Sequence, residues 1–142
     1  MASDDFGTGE TNSGVAPQNL PIYKILASGG SAQACSEVSN GTYNKLGNRK
    51  FFRFTLSATS TVTIHATSQQ LNTDPDLILF RDGVKKASAE MSTPRGSPGS
   101  ETLTATGQPA GTYVLEVYES SNVDSSPPKQ NSTCFNVDFT AS

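Results

Sequence analysis

Short runs in which apolar and polar residues alternate one for one restrict most strongly how this chain can fold. In residues 134–139 (CFNVDF) the alternation places Phe135, Val137 and Phe139 on one side and polar residues on the other. A period of two is typical of a strand with one face in a core and one in solvent, because successive side chains point to opposite faces. This segment is therefore predicted to be a strand.

The same alternation recurs along the chain, with turn residues between the runs. Asp82 and Gly83 separate two runs and predict a hairpin, because both positions of such a tight turn favour positive φ. Residues 57–60 are predicted to turn tightly and to join their flanking runs in another hairpin. No stretch has a convincing apolar period of 3.6. The predicted strands are Leu20–Leu26, Phe51–Leu56, Thr61–His65, Asp76–Arg81, Val84–Glu90, Glu101–Thr106, Thr112–Tyr118 and Cys134–Phe139, and Ala27–Asn48 is predicted to be a loop with at most a short strand near Cys35.

About seven or eight short strands predict an all-β fold, a two-sheet antiparallel β-sandwich. The length of 142 residues suits one domain. Residues 1–19 hold Gly, Ser, Thr, Asn and acids with almost no apolar side chains, which predicts a linker or flexible N-terminal segment. The sandwich is expected to occupy residues 20–142.

Composition excludes several classes of function. The net charge is −3 and no stretch concentrates Lys or Arg, so nucleic-acid binding is not expected. No apolar run approaches the ~20 residues of a membrane span. Residues 1–5 are acidic and lack the apolar core of a signal peptide, so an exported protein would need a signal outside this sequence.

The two cysteines, Cys35 and Cys134, are far apart in sequence, and His65 is the only histidine. A structural zinc site needs about four such ligands, so zinc is not expected. One disulfide is favoured, and it would be worth roughly 4–5 kcal/mol in the chain-entropy model. The alternative is a pair of buried free thiols.

Three segments carry a resemblance to a known family: residues 51–56 (FFRFTL), 74–80 (DPDLILF) and 109–118 (PAGTYVLEVY). In this order they resemble the bacterial pre-peptidase C-terminal domain family, which reads aromatic-Arg-Phe, Asp-Pro-Asp-Leu-x-Leu and Ala-Gly-Thr-Tyr-x-Leu-x-Val-Tyr. The resemblance runs from about residue 10 to residue 140.

The resemblance implies a jelly-roll-like β-sandwich appended to secreted proteases and other hydrolases, and often removed during maturation. Some relatives bind collagen or insoluble polysaccharide, and some bind calcium; the collagen-binding domains of clostridial collagenases have a related fold. Two departures stand out. Residues 47–50 (GNRK) replace an Asp-x-Asp that often precedes the first motif, and Cys35 and Cys134 are additions to the pattern.

No catalytic residues are predicted. His65 is the only candidate base, it lies on the outward side of a predicted strand, and no Gly-x-Ser-x-Gly motif is present. Asp74 and Asp76 either ligate calcium, which prefers several oxygen ligands, or cap a turn and satisfy nearby backbone donors. Calcium is the one cofactor considered, and none is required. The tail acids Asp4, Asp5 and Glu10 could add ligands.

Aromatic side chains on the outer faces of strands suggest a binding surface. The alternation places Phe51, Phe80 and Tyr118 opposite to their core neighbours. Exposed aromatic rings can stack on sugars or pack against proline-rich collagen, and the alternative is that loops cover them.

Two functions follow as hypotheses. The first is a non-catalytic accessory domain of a secreted bacterial hydrolase, expected to be a peptidase, with that enzyme's catalytic domain as partner and a role in secretion, maturation or substrate association. The second is an adhesive module for polysaccharide or collagen. Both place the chain outside the cell.

Overall fold

The computed structural model describes residues 23–25, 27–37, 49–94, 96–120 and 132–142. These residues form nine strands and no helix long and apolar enough to cross a membrane. The strands are β1 (Tyr23–Ile25), β2 (Ser31–Glu37), β3 (Arg49–Leu56), β4 (Ser60–Leu71), β5 (Pro75–Arg81), β6 (Val84–Ala89), β7 (Pro98–Gln108), β8 (Gly111–Glu119) and β9 (Ser132–Ala141).

The strands form two sheets. The five-stranded sheet has the order β1-β3-β8-β5-β6, and the four-stranded sheet has the order β2-β9-β4-β7. The predicted all-β, two-sheet sandwich is therefore confirmed. Every pairing is antiparallel except that of β1 with β3, which is parallel.

The predicted hairpin at Asp82 and Gly83 is present between β5 and β6. Both residues have positive φ, 52° and 73°, as its tight turn requires. The hairpin predicted at residues 57–60 is wrong, because β3 pairs in the five-stranded sheet and β4 in the four-stranded sheet. Alternation shows which side chains of a strand face the core, but both sheets of a sandwich face the same core, so it does not choose the partner.

The prediction of a loop over Ala27–Asn48 missed most of β2, which pairs with β9 along seven residues. Its inward side chains are those of Ala32 and Ala34, which are too small to give a clear apolar alternation. Of the first predicted strand, Leu20–Leu26, the structure describes only β1. The remainder of Leu20–Leu26 and the predicted linker at residues 1–19 lie outside the described residues.

The core lies between the two sheets. Phe54 stacks on Tyr113 with ring centroids 5.4 Å apart and lies 4.3 Å from the ring of Phe139, so aromatic contacts join both sheets. The other buried apolar side chains come from alternate positions of the strands: Ala32, Ala34, Phe52, Leu56, Val62, Ile64, Ala66, Leu77, Leu79, Leu103, Ala105, Leu115, Val117, Phe135 and Val137.

The crossover from β7 to β8 is fixed by hydrogen bonds that reach back to its backbone. The Tyr113 hydroxyl donates to the carbonyl of Pro109 at 2.7 Å, and the Arg81 guanidinium donates to the carbonyl of Ala110 at 3.0 Å. Gly111 has φ 144°, and a side chain there would meet the Arg81 guanidinium at 3.1 Å. Residues 109–113 (PAGTY) thus form a fixed corner of the sandwich.

The predicted disulfide joins Cys35 of β2 to Cys134 of β9 and is confirmed. The two residues are direct partners in the strand register, and their sequence separation is 99. The bond closes a loop of most of the domain, which corresponds to about 4.7 kcal/mol in the chain-entropy model.

Candidate functional site

The two phenylalanines predicted to face away from the core lie on the outer face of the five-stranded sheet. Phe51 is on β3 and Phe80 is on β5, and β8 runs between them. Their side chains are half-buried, as are those of Ile78 and Val114 beside them. Phe51, Ile78, Phe80 and Val114 form what we call the apolar patch. One row across the strands is Arg53, Val114 and Phe80, and the next row is Phe51, Glu116 and Ile78.

Tyr118 shares this outer face but differs from the two phenylalanines in accessibility. It is 8% exposed, and the guanidinium carbon of Arg49 lies 4.4 Å from the centre of its ring. A cation over the face of an aromatic ring interacts favourably with it. Its hydroxyl donates to Oε1 of Glu90 at 3.1 Å. Both the ring face and the hydroxyl of Tyr118 therefore already have partners.

Arg49 connects Tyr118 to the apolar patch. The same guanidinium that covers Tyr118 forms an ion pair with Glu116, which is buried in the row of Phe51 and Ile78. Arg53 is exposed at the next outward position of β3. A ligand on this face would consequently meet apolar side chains beside a guanidinium, while Glu116 is neutralised by Arg49.

Asp74 lies just before β5 and joins two other segments. Its Oδ1 accepts the backbone N–H of Thr93 at 2.8 Å, and its Oδ2 accepts the Ser120 hydroxyl at 2.7 Å. The Ser120 N–H also donates to the carbonyl of Asp74. These bonds fasten the segment after β6 and the end of β8 to the start of β5. The two side-chain bonds reach residues 19 and 46 positions later in the sequence, so they join distant segments.

Asp76 is the direct strand partner of Tyr118 and is 6% exposed. Its Oδ1 is buried without a hydrogen-bond partner among the described residues. Burial raises the pKa of Asp76 to about 7; interaction with the Tyr118 hydroxyl opposes the rise, and the charges of Asp74, Glu90 and Glu101 add to it. At neutral pH this carboxyl group is therefore close to half protonated.

The carboxyl group of Glu90, in contrast to that of Asp76, favours its ionised form. Burial acts to raise its pKa, but hydrogen bonds from Ser88, Lys85 and Tyr118 outweigh burial and lower it. Burial, followed by the neighbouring carboxylates, raises the pKa of Tyr118, so the phenol keeps its proton. A neutral hydroxyl thus separates the ionised carboxylate of Glu90 from the carboxyl group of Asp76, which is close to half protonated at neutral pH.

Two further buried carboxylates at this end of the sandwich were not predicted. Glu119 accepts the N–H of Asp74 with both carboxylate oxygens, at 2.9 and 3.1 Å, and Glu101 accepts the N–H of Met91 at 2.7 Å. We call Asp74, Asp76, Glu90, Glu101 and Glu119 the acidic corner. It adjoins the apolar patch through Tyr118 and Arg49.

The acidic corner has few free ligand atoms for a metal ion. Within the described ranges, no group of three or more His, Cys, Asp or Glu side chains is arranged to hold one. Asp74 and Glu101 are engaged with backbone and hydroxyl donors. Oδ1 of Asp76 is the buried side-chain oxygen that lacks a hydrogen-bond partner among the described residues.

His65 lies on the outer face of the other sheet, among threonines, as the alternation predicted. Its Nδ1 is 2.6 Å from the hydroxyl of Thr102 on β7, and its neighbour on β9 is Asp138. Thr102 and Asp138 are exposed on an open sheet surface. This row lies on the other sheet from the apolar patch.

Comparisons with known proteins identify what the chain is similar to. The family model described as bacterial pre-peptidase C-terminal domain matches residues 48–119. The pre-peptidase C-terminal domain of a collagenase from Bacillus anthracis superposes with a TM-score of 0.60 at 9% identity, covering 84% of this chain and 95% of that one. A periplasmic inhibitor of g-type lysozyme from Salmonella Typhimurium superposes with a TM-score of 0.50 at 16% identity, covering 84% of this chain and 98% of that one. Both structures show the fold. Comparison with curated protein sequences gives no significant match.

Proposed function

Because the chain belongs to the bacterial pre-peptidase C-terminal domain family, whose members are non-catalytic accessory domains, we propose that it serves a secreted bacterial hydrolase, of the peptidase class. The domain, expected at residues 20–142, acts by binding and carries out no chemistry. The disulfide supports a location outside the cytoplasm, because such bonds persist in oxidising compartments. Its role is in secretion, maturation or substrate association.

The observation that carries this proposal is the apolar patch. Four half-buried apolar side chains from three adjacent strands form one surface, and neither a helix nor a strand of the described residues lies over it. A rigid sheet places these side chains without loop rearrangement, which lowers the entropy that binding must overcome. The catalytic domain of the parent enzyme is the proposed partner of this surface.

A paired substitution tests the role of the patch in the parent enzyme. We expect Phe51→Ser with Phe80→Ser to lower the yield of secreted, active full-length enzyme, while the isolated domain still unfolds cooperatively. Thr63→Ala with Thr104→Ala is the matched control, because these threonines are strand partners on the outer face of the other sheet. If both double variants were secreted and active to the same extent as the unsubstituted enzyme, the patch would be excluded from this role.

The alternative is an adhesive module that binds polysaccharide or collagen through the same patch. Half-buried aromatic rings on an outer sheet face support it, since aromatic faces pack against sugar rings and proline. Retention of the isolated domain on insoluble cellulose, chitin or collagen, lost in the Phe51/Phe80 variant and kept in the Thr63/Thr104 control, would favour this function. Passage through all three matrices would leave association with the parent enzyme as the binding mode.

Calcium at the acidic corner is a separate part of the proposal. Asp74 and Asp76 would provide carboxylate oxygens, of the six to eight oxygens that calcium takes. Waters, or Asp4, Asp5 and Glu10 from outside the described residues, would provide the remainder. The support is the buried Oδ1 of Asp76, which lacks a partner among the described residues.

Thermal unfolding with calcium and with a chelator tests this site. A ligand that binds only the folded state, present at a hundred times its dissociation constant, stabilises it by about 2.7 kcal/mol, which predicts a rise of several degrees. Asp76→Asn should remove most of the rise, whereas the control Asp82→Asn, in the distant β5–β6 turn, should keep it. An unchanged midpoint at millimolar calcium would remove the metal from the proposed function.

A further inference from the structure

The strand that the disulfide attaches, β2, forms one edge of the four-stranded sheet and has β9 as its strand partner. The backbone pairing extends beyond β2 itself: the Gly29 N–H donates to the carbonyl of Phe139 at 2.9 Å, and the Phe139 N–H donates to the carbonyl of Gly30 at 3.1 Å. The pairing continues at Ser28, whose hydroxyl oxygen accepts the N–H of Ala141 at 3.1 Å. The edge segment is thus held to β9 mainly through its backbone.

The contribution of β2 to the core is small. Its inward apolar side chains are the methyl groups of Ala32 and Ala34, whereas β9 places Phe135, Val137 and Phe139 in the core. β9 also pairs with β4 on its other side, over six residue pairs. Because apolar burial provides most of the free energy that holds a strand in a fold, β9 remains anchored without β2, whereas β2 has little apolar anchorage of its own.

The disulfide lies on the outer side of this pair, since Ala32 and Ala34 alternate with Cys35 and point inward. It is therefore the one covalent bond that joins the edge segment to β9. We propose that it is a redox-controlled lock: the oxidised chain holds β2 on β9, and reduction frees β2 and opens the edge of β9 while the rest of the sandwich stays folded. An open strand edge can pair with another strand.

The reducing step involves a thiol of a dithiol oxidoreductase as the co-reactant. Its thiolate attacks Sγ of Cys134, the less buried of the two cysteines, and a mixed disulfide forms as the Cys35–Cys134 bond breaks. Cys35, which is 1% exposed, leaves as the thiolate and takes up a proton once β2 separates. The second thiol of the reductant then releases Cys134, so two electrons pass to the protein and the reductant becomes a disulfide.

Amide hydrogen exchange of the oxidised chain and of the chain reduced with dithiothreitol tests the lock. On reduction we expect exchange in Ala32–Glu37, and at the Phe139 amide that faces Gly30, to become more than about ten-fold faster. Amides of β3, β5 and β8 should keep their protection. Two results would overturn the proposal: β2 remaining as protected as in the oxidised chain, or all strands losing protection together.

A variant separates the effect of the missing bond from any effect of the reductant. Cys35→Ser with Cys134→Ser should show the same selective loss in β2 without dithiothreitol. The matched control is Ser31→Ala with Asp138→Ala, which alters an exposed pair on the same two strands and leaves the disulfide intact; it should keep β2 protected. Equal protection of β2 in both double variants would show that backbone pairing alone holds the edge. Glutathione found on Cys35 instead of Cys134 after brief treatment would contradict the assigned site of attack.

Discussion

Replacing Asp76 by asparagine should change how the stability of the domain depends on pH. Asp76 has a folded-state pKa of about 7 against an ordinary value of 3.8, and the first cause is burial. The folded chain therefore keeps a proton on Asp76 over a pH range in which the unfolded chain has already lost it. The contribution of Asp76 to stability is fully present below pH ~4 and is lost progressively as the pH rises to about 7.

The magnitude follows from the size of this shift. One pKa unit corresponds to about 1.4 kcal/mol, so the full shift sets an upper limit near 4 kcal/mol. The effective dielectric constant of real proteins is well above that of a dry interior even at buried sites, so we expect about half of this limit, roughly 2 kcal/mol. Asparagine has nearly the same shape and no charge. The stability of Asp76→Asn relative to the unsubstituted domain should therefore increase by about this much as the pH rises from 4.5 to 7.5.

Urea unfolding at pH 4.5, 6.0 and 7.5, with a chelator present throughout, measures this difference. The contributions of other carboxylates cancel when the variant is compared with the parent at each pH, provided that the substitution leaves their surroundings unchanged. Asp82→Asn is the control, because that side chain is 89% exposed in the β5–β6 turn. A free-energy difference between Asp76→Asn and the parent that stays constant within about 0.5 kcal/mol over this range would refute the reasoning, since measured surface effects are of that size.

Three substitutions test the packing. Phe54→Ala removes the ring that contacts Tyr113 and Phe139, and should lower the free energy of unfolding by about 3–5 kcal/mol in urea. Tyr113→Phe keeps that stacking but removes the hydrogen bond to Pro109, so a loss of about 1 kcal/mol is expected, and no loss would show that the corner does not depend on the hydroxyl. Gly99→Ala would place a methyl group 2.5 Å from both the Pro75 ring and the Thr73 hydroxyl, and should lower the thermal midpoint, with a loss of roughly 1–3 kcal/mol.

The fold could be predicted from sequence where the signal is local. Alternation identified the inward side chains of β3, β4, β8 and β9, and the Asp82-Gly83 pair identified the β5–β6 hairpin. Pairing between strands distant in sequence was not accessible in this way. The residues on either side of residues 57–60 belong to different sheets, because two strands with the same alternation can bury their apolar sides from opposite layers.

The edge strand β2 could not be predicted from the apolar alternation of its own residues. Ala32 and Ala34 occupy inward positions, but alanine gives little contrast with the polar residues around it, so no period of two stands out. The strand is specified by its backbone pairing and by the Cys35–Cys134 bond. The sequence favoured a disulfide between Cys35 and the distant Cys134, but it did not predict a complete strand alongside β9.

The acidic corner was only partly predicted, although the sequence does contain a signal for it. Glu101 is in phase with the inward side chains of Leu103 and Ala105, and Glu119 is in phase with Leu115 and Val117. An ionisable residue at a core position of an alternating strand must be desolvated, so it needs a hydrogen-bonded partner or a shifted pKa.

The position of a residue within the apolar–polar alternation of its strand therefore gives different information about the apolar patch and about the acidic corner. An apolar residue out of phase with the core, such as Phe51 or Phe80, indicates an outer patch, because its position depends only on its own strand. An acidic residue in phase with the core, such as Glu119, indicates a buried carboxylate without naming its partner. The donor to Glu119 is the N–H of Asp74, a residue 45 positions earlier, which only the pairing of β5 with β8 brings close. Local periodicity thus locates the apolar patch, while the acidic corner requires the topology.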